Sequence, residues 1–369
     1  MPSRNGVEKI DFPHYTESTN VQDFLRFVED IKSRVRDIVS LQKEVQYQAP
    51  KKIKIQEKQW KAIHAIIKKS KNRNPQYQDI ILNPVFVAKL HMIYGDSDLV
   101  SLIVVLIQSG ILWVSESDWN KVMLELETKV YDIDPKEIRD AIISQWGSIR
   151  YEALVIDDYL DRKDKLLSKN GDRKMRTRFK VKPGWETDTY LTAKREITPK
   201  DKNYSMFLRS YIETLWEDIP EDISEEMKIL LEEEMNTYDK SALEDVMKVI
   251  RFWVQRSKIK LRRSYNFLGS VVENDDYFWV EWEKWDIPPF LEVEAKTPGI
   301  SSEIREKLWV QSNRISTGGS QQVFKDFWVK WEYLTFGKKP HEDRNTYMRL
   351  QRILTDGLNK MSRGYFKTF

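Results

Sequence analysis

The stretch "VMLELETKVYDI", Val122–Ile133, alternates apolar and polar residues with a period of two. Successive side chains of a strand point to opposite faces, so Glu125, Glu127 and Lys129 share one face while Leu124 and Leu126 take the other. A second stretch, "FLEVEAK" at Phe290–Lys296, places Glu292 and Glu294 in the same way. A helix would instead repeat its apolar positions every three to four residues. These two stretches therefore read as strands, each with an apolar side for a core and a charged side for something else.

The strands between them carry cations. Arg176 and Arg178 alternate in "MRTRF", Lys194 ends "YLTAK", and Lys260 and Arg262 alternate in "KIKLRRSY". Arg209, Tyr211 and Glu213 alternate in "LRSYIE". Period-two runs are read at 122–133, Glu152–Leu160, Lys174–Val181, Thr189–Glu196, Ser205–Thr214, Ser257–Phe267, Tyr277–Trp285 and Phe290–Ala295. Mostly sequential strands joined by turns predict an antiparallel sheet or closed barrel. A solvated sheet face is one account of the charges. The sorting by sign, carboxylates on the first and last strands and cations between, favours a lumen matched to a polyphosphate and divalent cations. Arg and Lys suit phosphate oxygens, and carboxylates suit Mg²⁺ or Mn²⁺.

Helices flank this middle region. Apolar positions at helical spacing mark Asn20–Gln42, Ile55–Lys69, Pro84–Tyr94 and Leu99–Leu112. "DPKE" at Asp134–Glu137 is a helix start, with Asp134 as cap and Pro135 in the first turn. The spacing predicts an acidic helical insert over 221–253 and helices at Ser301–Val310, Gln321–Tyr333 and Arg344–Ser362. The expected organisation is a helical domain over 1–117, a sheet domain over 118–335 and a helical tail over 336–369.

Composition narrows the chemistry. Of 369 residues, 40% are hydrophobic and 32% charged, as in a well-cored protein. There is no Cys, which excludes disulfides, thiolate metal sites and Cys nucleophiles. His14, His64, His91 and His341 are not paired at zinc-ligand spacing. The apolar run Leu99–Val114 is shorter than a membrane span needs and reads as a buried helix, so no membrane partner is expected. The N-terminal "MPSRNGVEKIDFPHY" lacks the apolar core of a secretory signal, so a cytoplasmic location is expected, with a virion-associated one as the alternative. Lys51–Arg73 is basic, with Glu57 its only acid, and is a candidate nucleic-acid patch. The competing account is a solvated helix face over a Trp60/Ile63/Ile67 stripe, and a net charge of +3 favours that account. "STGGSQ" at Ser316–Gln321 lacks the Lys-Ser/Thr of a P-loop and reads as a loop before a helix.

Taken in order, these strands resemble the CYTH, or triphosphate tunnel metalloenzyme, superfamily. "ELETK" resembles its ExExK signature. "DDYLD" at Asp157–Asp161, "MRTRF", "YLTAKRE", "KLRRSY" and "WEKWDIPPFLEVEA" at Trp282–Ala295 resemble its later motifs in family order. The likeness covers roughly residues 122–333. It implies an α+β protein built on an eight-stranded antiparallel tunnel that binds a triphosphate. The implied activity is metal-dependent hydrolysis of tripolyphosphate, a nucleoside or thiamine triphosphate, or an RNA 5′-triphosphate. The alternatives are a class IV-type adenylate cyclase, and a non-catalytic triphosphate-binding or structural protein. By motif, Glu125, Glu127, Glu292 and Glu294 would be catalytic metal ligands. Glu213 and Glu283 would join them, and Mg²⁺ or Mn²⁺ would be the cofactor. Lys129, Arg176, Arg178, Lys194, Arg209, Lys260 and Arg262 would bind phosphates. Two positions depart from the pattern: Tyr211 stands where the family has a Glu, and Glu283 where it has an Asp.

Overall fold

The computed structural model describes residues 12–16, 19–41, 53–73, 84–114, 125–167, 173–182, 187–197, 229–278, 287–295, 297–316 and 320–327. Four helices come first: α1 (Val21–Leu41), α2 (Glu57–Lys69), α3 (Pro84–Tyr94) and α4 (Ser97–Gln108). Asp96 starts α4 by accepting from Leu99 N at 3.0 Å, which satisfies one of the free donors at a helix N-terminus. Its other oxygen accepts from Ile53 N at 2.6 Å and so fixes the approach to α2. Leu99–Gln108 is buried throughout, as expected for a core helix. Trp60 is buried with Ile63 and Ile67, so the α2 stripe packs inward, while Lys54, Lys58, Lys61, Lys68, Lys69 and Lys71 are exposed.

The strands are β1 (Leu112–Trp113), β2 (Glu125–Val130), β3 (Ser148–Asp161), β4 (Arg173–Val181), β5 (Thr187–Ile197), β6 (Ile229–Thr237), β7 (Trp253–Phe267), β8 (Ser270–Phe278), β9 (Phe290–Ala295) and β10 (Ile315–Ser316). Between them lie α5 (Pro135–Ser144), α6 (Lys240–Val249), α7 (Pro298–Lys307) and α8 (Ser320–Asp326). They form one ten-stranded sheet in the order β1-β6-β5-β4-β3-β7-β8-β9-β2-β10, with neighbouring strands antiparallel. The two-residue strands β1 and β10 remain edges. The sheet thus has ten strands rather than eight and is not closed as a set. Inside those edges, β2 also meets β6 at Glu125↔Leu230 and Leu126↔Ile229.

Two sequence expectations are corrected. Of the helical insert expected over 221–253, residues 221–228 lie outside the described residues, and in the described part Ile229–Thr237 is strand β6 while Lys240–Val249 is helical. The strand expected to start at Tyr277 starts at Ser270, as a hairpin partner of β7 through Phe267↔Ser270, and residues 279–285 of the expected strand lie outside the described residues. The expected strand Ser205–Thr214, the helix Arg344–Ser362 and the tail 336–369 lie outside the described residues.

The outer face of the sheet is apolar and covered. Helices α1–α4 share a buried cluster with Met175 of β4, Leu191 and Ala193 of β5, and Leu231 and Met235 of β6. On the other half, α5 and α7 cover Val130, Tyr265, Phe267, Val272, Leu291 and Val293 through Ile138, Ile142, Ile304 and Leu308. Asp134 caps α5, accepting from Lys136 N at 2.7 Å and Glu137 N at 3.3 Å. A third cluster lies on the other, charged side: Phe324 of α8 packs against Tyr277 and Phe290, which share a face with Asp275 and Glu292. With its apolar side spent on helices, the sheet turns its charged side to the interior.

Candidate functional site

Directly paired residues of neighbouring strands share a face, so the register builds the charged face residue by residue. Asp157 stands opposite both Arg178 and Lys258; Arg262 opposite Asp275; Glu273 opposite Glu292; Glu294 opposite Glu127; Glu292 opposite Lys129; and Lys194 opposite Glu232.

On one side of this face Asp157 organises two arginines. Arg178 donates to it from Nε at 2.7 Å and Nη2 at 3.3 Å, and Arg176 donates from Nη1 at 3.2 Å. Burial alone would raise the Asp157 pKa, but Arg176 and Arg178 outweigh it and hold the carboxyl well below the ordinary range. From β6, Glu232 accepts from Arg176 and Lys194 at 3.0 Å each, and Glu234 accepts from Lys180 at 3.0 Å and Arg178 at 3.3 Å. Lys194 also lies 3.6 Å from Glu127.

On the other side Asp275 takes Lys260 at 2.7 Å and two bonds from Arg262 at 2.6 Å. Arg262 bridges onward to Glu273 and, at 2.6 Å, to Glu292. Lys129, which is 1% exposed, bonds Glu292 at 2.8 Å and pairs with Glu127. Burial would raise the Glu292 pKa, but Lys129, Arg262 and Lys260 together hold it well below its usual value. Glu294 behaves oppositely: burial and the neighbouring Glu292 charge raise it.

Carboxylate oxygens of Glu273, Glu292 and Glu294 lie within 4.8 Å of one another. Adjacent hard oxygen donors suit Mg²⁺, Mn²⁺ or Ca²⁺ rather than a soft metal. The mutual repulsion that raises Glu294 is what a divalent cation relieves, so these residues fit a metal.

The register and ion pairs bring together the sequence candidates Glu127, Lys129, Arg176, Arg178, Lys194, Lys260, Arg262, Glu292 and Glu294. Glu125 is placed by its backbone, opposite Leu230. Arg209, Glu213 and Glu283 lie outside the described residues. Residues that the sequence reading did not assign are Asp157, Lys180, Glu232, Glu234, Glu273 and Asp275. The carboxylate beside Glu292 and Glu294 is Glu273 of β8, and the acidic pair facing Arg176 and Arg178 is Glu232 and Glu234. The alternation of Glu232 with Glu234, and of Glu273 with Asp275, was the available signal.

Tyr159 lies further along β3. The Arg256 guanidinium sits 4.4 Å and the Lys258 ammonium 4.9 Å from its ring centre. Burial would raise its pKa, but Lys258 and Arg176 outweigh that and lower it to about 7. Lys258 is itself brought down to about 7 by burial, against the pull of Tyr159.

No family model matches the chain, and no curated protein sequence matches it. Solved structures do. A candidate adenylate cyclase from Vibrio parahaemolyticus is 11% identical with a TM-score of 0.37, over 56% of this chain and 99% of that one. The PH1819 protein of Pyrococcus horikoshii is 16% identical with a TM-score of 0.38, over 55% of this chain and 98% of that one. HpAC1 from Hippeastrum, described as having a dominant triphosphatase activity, is 12% identical with a TM-score of 0.35, over 58% of this chain and 99% of that one.

Proposed function

We propose that the charged face binds a triphosphate with divalent cations, Mg²⁺ or Mn²⁺, and hydrolyses its terminal phosphoanhydride. The observation that carries this reading is the gathering of Glu273, Glu292 and Glu294 within 4.8 Å, on the face that also presents Lys129, Lys260 and Arg262. The meeting of β2 with β6 supports a tunnel made of β6-β5-β4-β3-β7-β8-β9-β2, with this face as its wall.

In this reading Arg176, Arg178, Lys194, Lys260, Arg262 and Lys129 exchange carboxylate partners for phosphate oxygens. Arg contacts are bidentate and Lys contacts are point charges. Glu273, Glu292 and Glu294 would hold the cations, with Glu127 and Glu125 of β2 as the further ligands expected from the sequence. A bound divalent cation supplies charge neutralisation and a more acidic coordinated water. In hydrolysis a water forms one P–O bond to the terminal phosphorus as the bridging P–O bond breaks, its proton passes to the departing phosphate chain or to bulk water, and orthophosphate and a chain one phosphate shorter are released. The arginines offset charge on the transferring group. Asp157, Glu232 and Glu234 orient those arginines.

The test is phosphate release from tripolyphosphate, ATP, thiamine triphosphate and 5′-triphosphorylated RNA, with Mg²⁺ and with Mn²⁺. Release from at least one is expected, and folded protein that turns over none of them overturns the hydrolase reading. Cyclisation of ATP is the second reading. The rings of Tyr190 and Tyr151, 4.3 and 5.1 Å from Lys180, favour it by offering aromatic surface for a nucleobase. Product analysis separates the two: cyclic AMP with pyrophosphate, or ADP with phosphate.

A further inference from the structure

Cations line the inner face beyond the residues given a role so far. On β7, Arg256, Lys258, Lys260 and Arg262 alternate, and on β4, Lys174, Arg176, Arg178 and Lys180 do the same. The two rows flank β3, which offers one carboxylate, Asp157, on that face between Tyr151 and Tyr159. From Arg256 to Arg262 a strand runs about 20 Å.

The two ends of these rows differ. Arg262 and Lys260 bond Asp275, Arg176 and Arg178 bond Asp157, and Lys180 bonds Glu234. The Glu273/Glu292/Glu294 cluster lies toward that end, because Glu273 stands opposite Ser264, just past Arg262. At the far end Tyr159 stands opposite both Arg176 and Arg256, and Arg256 and Lys258 close on its ring. Lys258 is opposite Asp157, a carboxylate that Arg176 and Arg178 already hold. Lys174 is opposite Lys194; Tyr159 and Glu196 favour its charge, and burial, Lys194 and Arg256 oppose it. Lys258 is 4% exposed, whereas Lys174 and Arg256 are partly exposed. Arg256 and Lys174 add to the burial that lowers Lys258, and a phosphate oxygen among the three cations would relieve that tension.

We propose that Lys174, Arg256 and Lys258 form a second phosphate subsite, which takes the distal phosphates of a linear polyphosphate longer than three units. The inference deepens the proposed function: it rests on the binding of a triphosphate at the charged face and not on its hydrolysis. A triphosphate held beside Glu273, Glu292 and Glu294 spans only a fraction of the row, and a longer chain carries the repeated charge that alternating Arg and Lys match. A nucleobase fits this end less well, because its aromatic faces are taken. Tyr277 stacks on Phe290 with Phe324 edge-on, the two cations cover Tyr159, and Phe324 lies 5.6 Å from the Lys258 ammonium.

The experiment is calorimetric titration of the intact protein with Mg²⁺ and either tripolyphosphate or linear hexaphosphate, phosphate release being assayed on the same samples. The hexaphosphate is expected to bind about tenfold or more tightly, because its far end adds a tethered second contact. That ratio should fall toward one in Lys258→Met and in Lys174→Met; methionine keeps most of the side-chain volume, and Lys174 is the less buried of the two. Lys58→Ser/Lys61→Ser, on the exposed face of α2, should keep the ratio. Equal affinity for the two chains overturns the inference and leaves the triphosphate reading standing. Loss of the ratio in the α2 variant but not in Lys258→Met overturns it too, since the chain then lies on the helix. An equal loss of affinity for 5′-triphosphorylated RNA in Lys258→Met overturns the choice of an inorganic chain. A preserved ratio without any phosphate release overturns the hydrolase reading alone.

Discussion

Two buried Lys–Glu pairs sit on opposite faces of the same sheet. Lys89 of α3 meets Glu233 of β6 at 2.6 Å on the outer face, within the cluster that holds Phe86, Leu90, Leu231 and Met235. Lys129 meets Glu292 at 2.8 Å on the inner face. Both lysines are less than 5% exposed. The outer pair is set in an apolar cluster, the inner pair in a web of charges. Glu292 also binds Arg262, and Lys129 also pairs with Glu127, in a web that continues to Glu273 and Asp275. Burial lowers the Lys129 pKa, Glu292 opposes that, and Lys194 and Lys260 add to it. Burial and pairing alone therefore do not mark a site. The outer pair fixes a helix to a strand, whereas the inner pair belongs to a set of charges that can be rearranged.

Breaking the inner pair is expected to give the largest effect. Glu292→Gln should lower phosphate release by about 10²-fold or more, because the proposed metal ligand and the partner of Lys129 and Arg262 are lost together. Wild-type turnover in this variant would erase the distinction. Breaking the outer pair should act on stability instead. Lys89→Met removes the ammonium that meets Glu233 in the buried cluster and should lower stability in urea unfolding by about 1–3 kcal/mol. Lys89→Met/Glu233→Leu should regain most of that loss. Turnover per folded molecule should stay constant in both, and a fall in turnover without a fall in stability would place Lys89 in the chemistry.

The third effect is smaller and depends on pH. Tyr159, lowered to about 7, binds fewer protons in the folded chain than in the unfolded one between about 7 and its ordinary 10. Stability should therefore rise with pH across that window, and the contribution should vanish as pH falls through 7. A tyrosinate absorbance step near pH 7 that Tyr159→Phe removes is the direct check. The smallest expected effect is Asp134→Ala, which loses the α5 cap for about 1 kcal/mol and leaves turnover unchanged.

The same two-faced logic explains what could be read in the sequence. Strands β4, β5, β7 and β9 set charged inner residues between mostly apolar outer ones, so period two is plain in them, whereas β3 puts Ala153 and Val155 on the inner face beside Asp157. Strand β6 hides it. Glu232 and Glu234 point to inner cations while Glu233 points out to Lys89, so three acids in a row erase the alternation and suggest a helix. In β8, Asn274 and Asp276 are polar on the face opposite Glu273 and Asp275, and "ENDD" reads as a turn. The inner glutamates were legible wherever their neighbours were apolar. Their partner cations follow only from the register, which brings residues such as Asp157 and Arg178 together across strands.

On the inner face, Lys129, Arg176, Arg178, Lys180, Lys194, Lys260 and Arg262 each already hold a carboxylate. A lone anion that enters must strand those carboxylates, and a lone metal ion must strand the cations. Only a guest that brings both signs of charge leaves every group with a partner. If the face takes the metal–polyphosphate guest proposed above, chloride or Mg²⁺ offered singly is expected to bind more weakly than the two kinds of charge presented together, as in a coincidence detector.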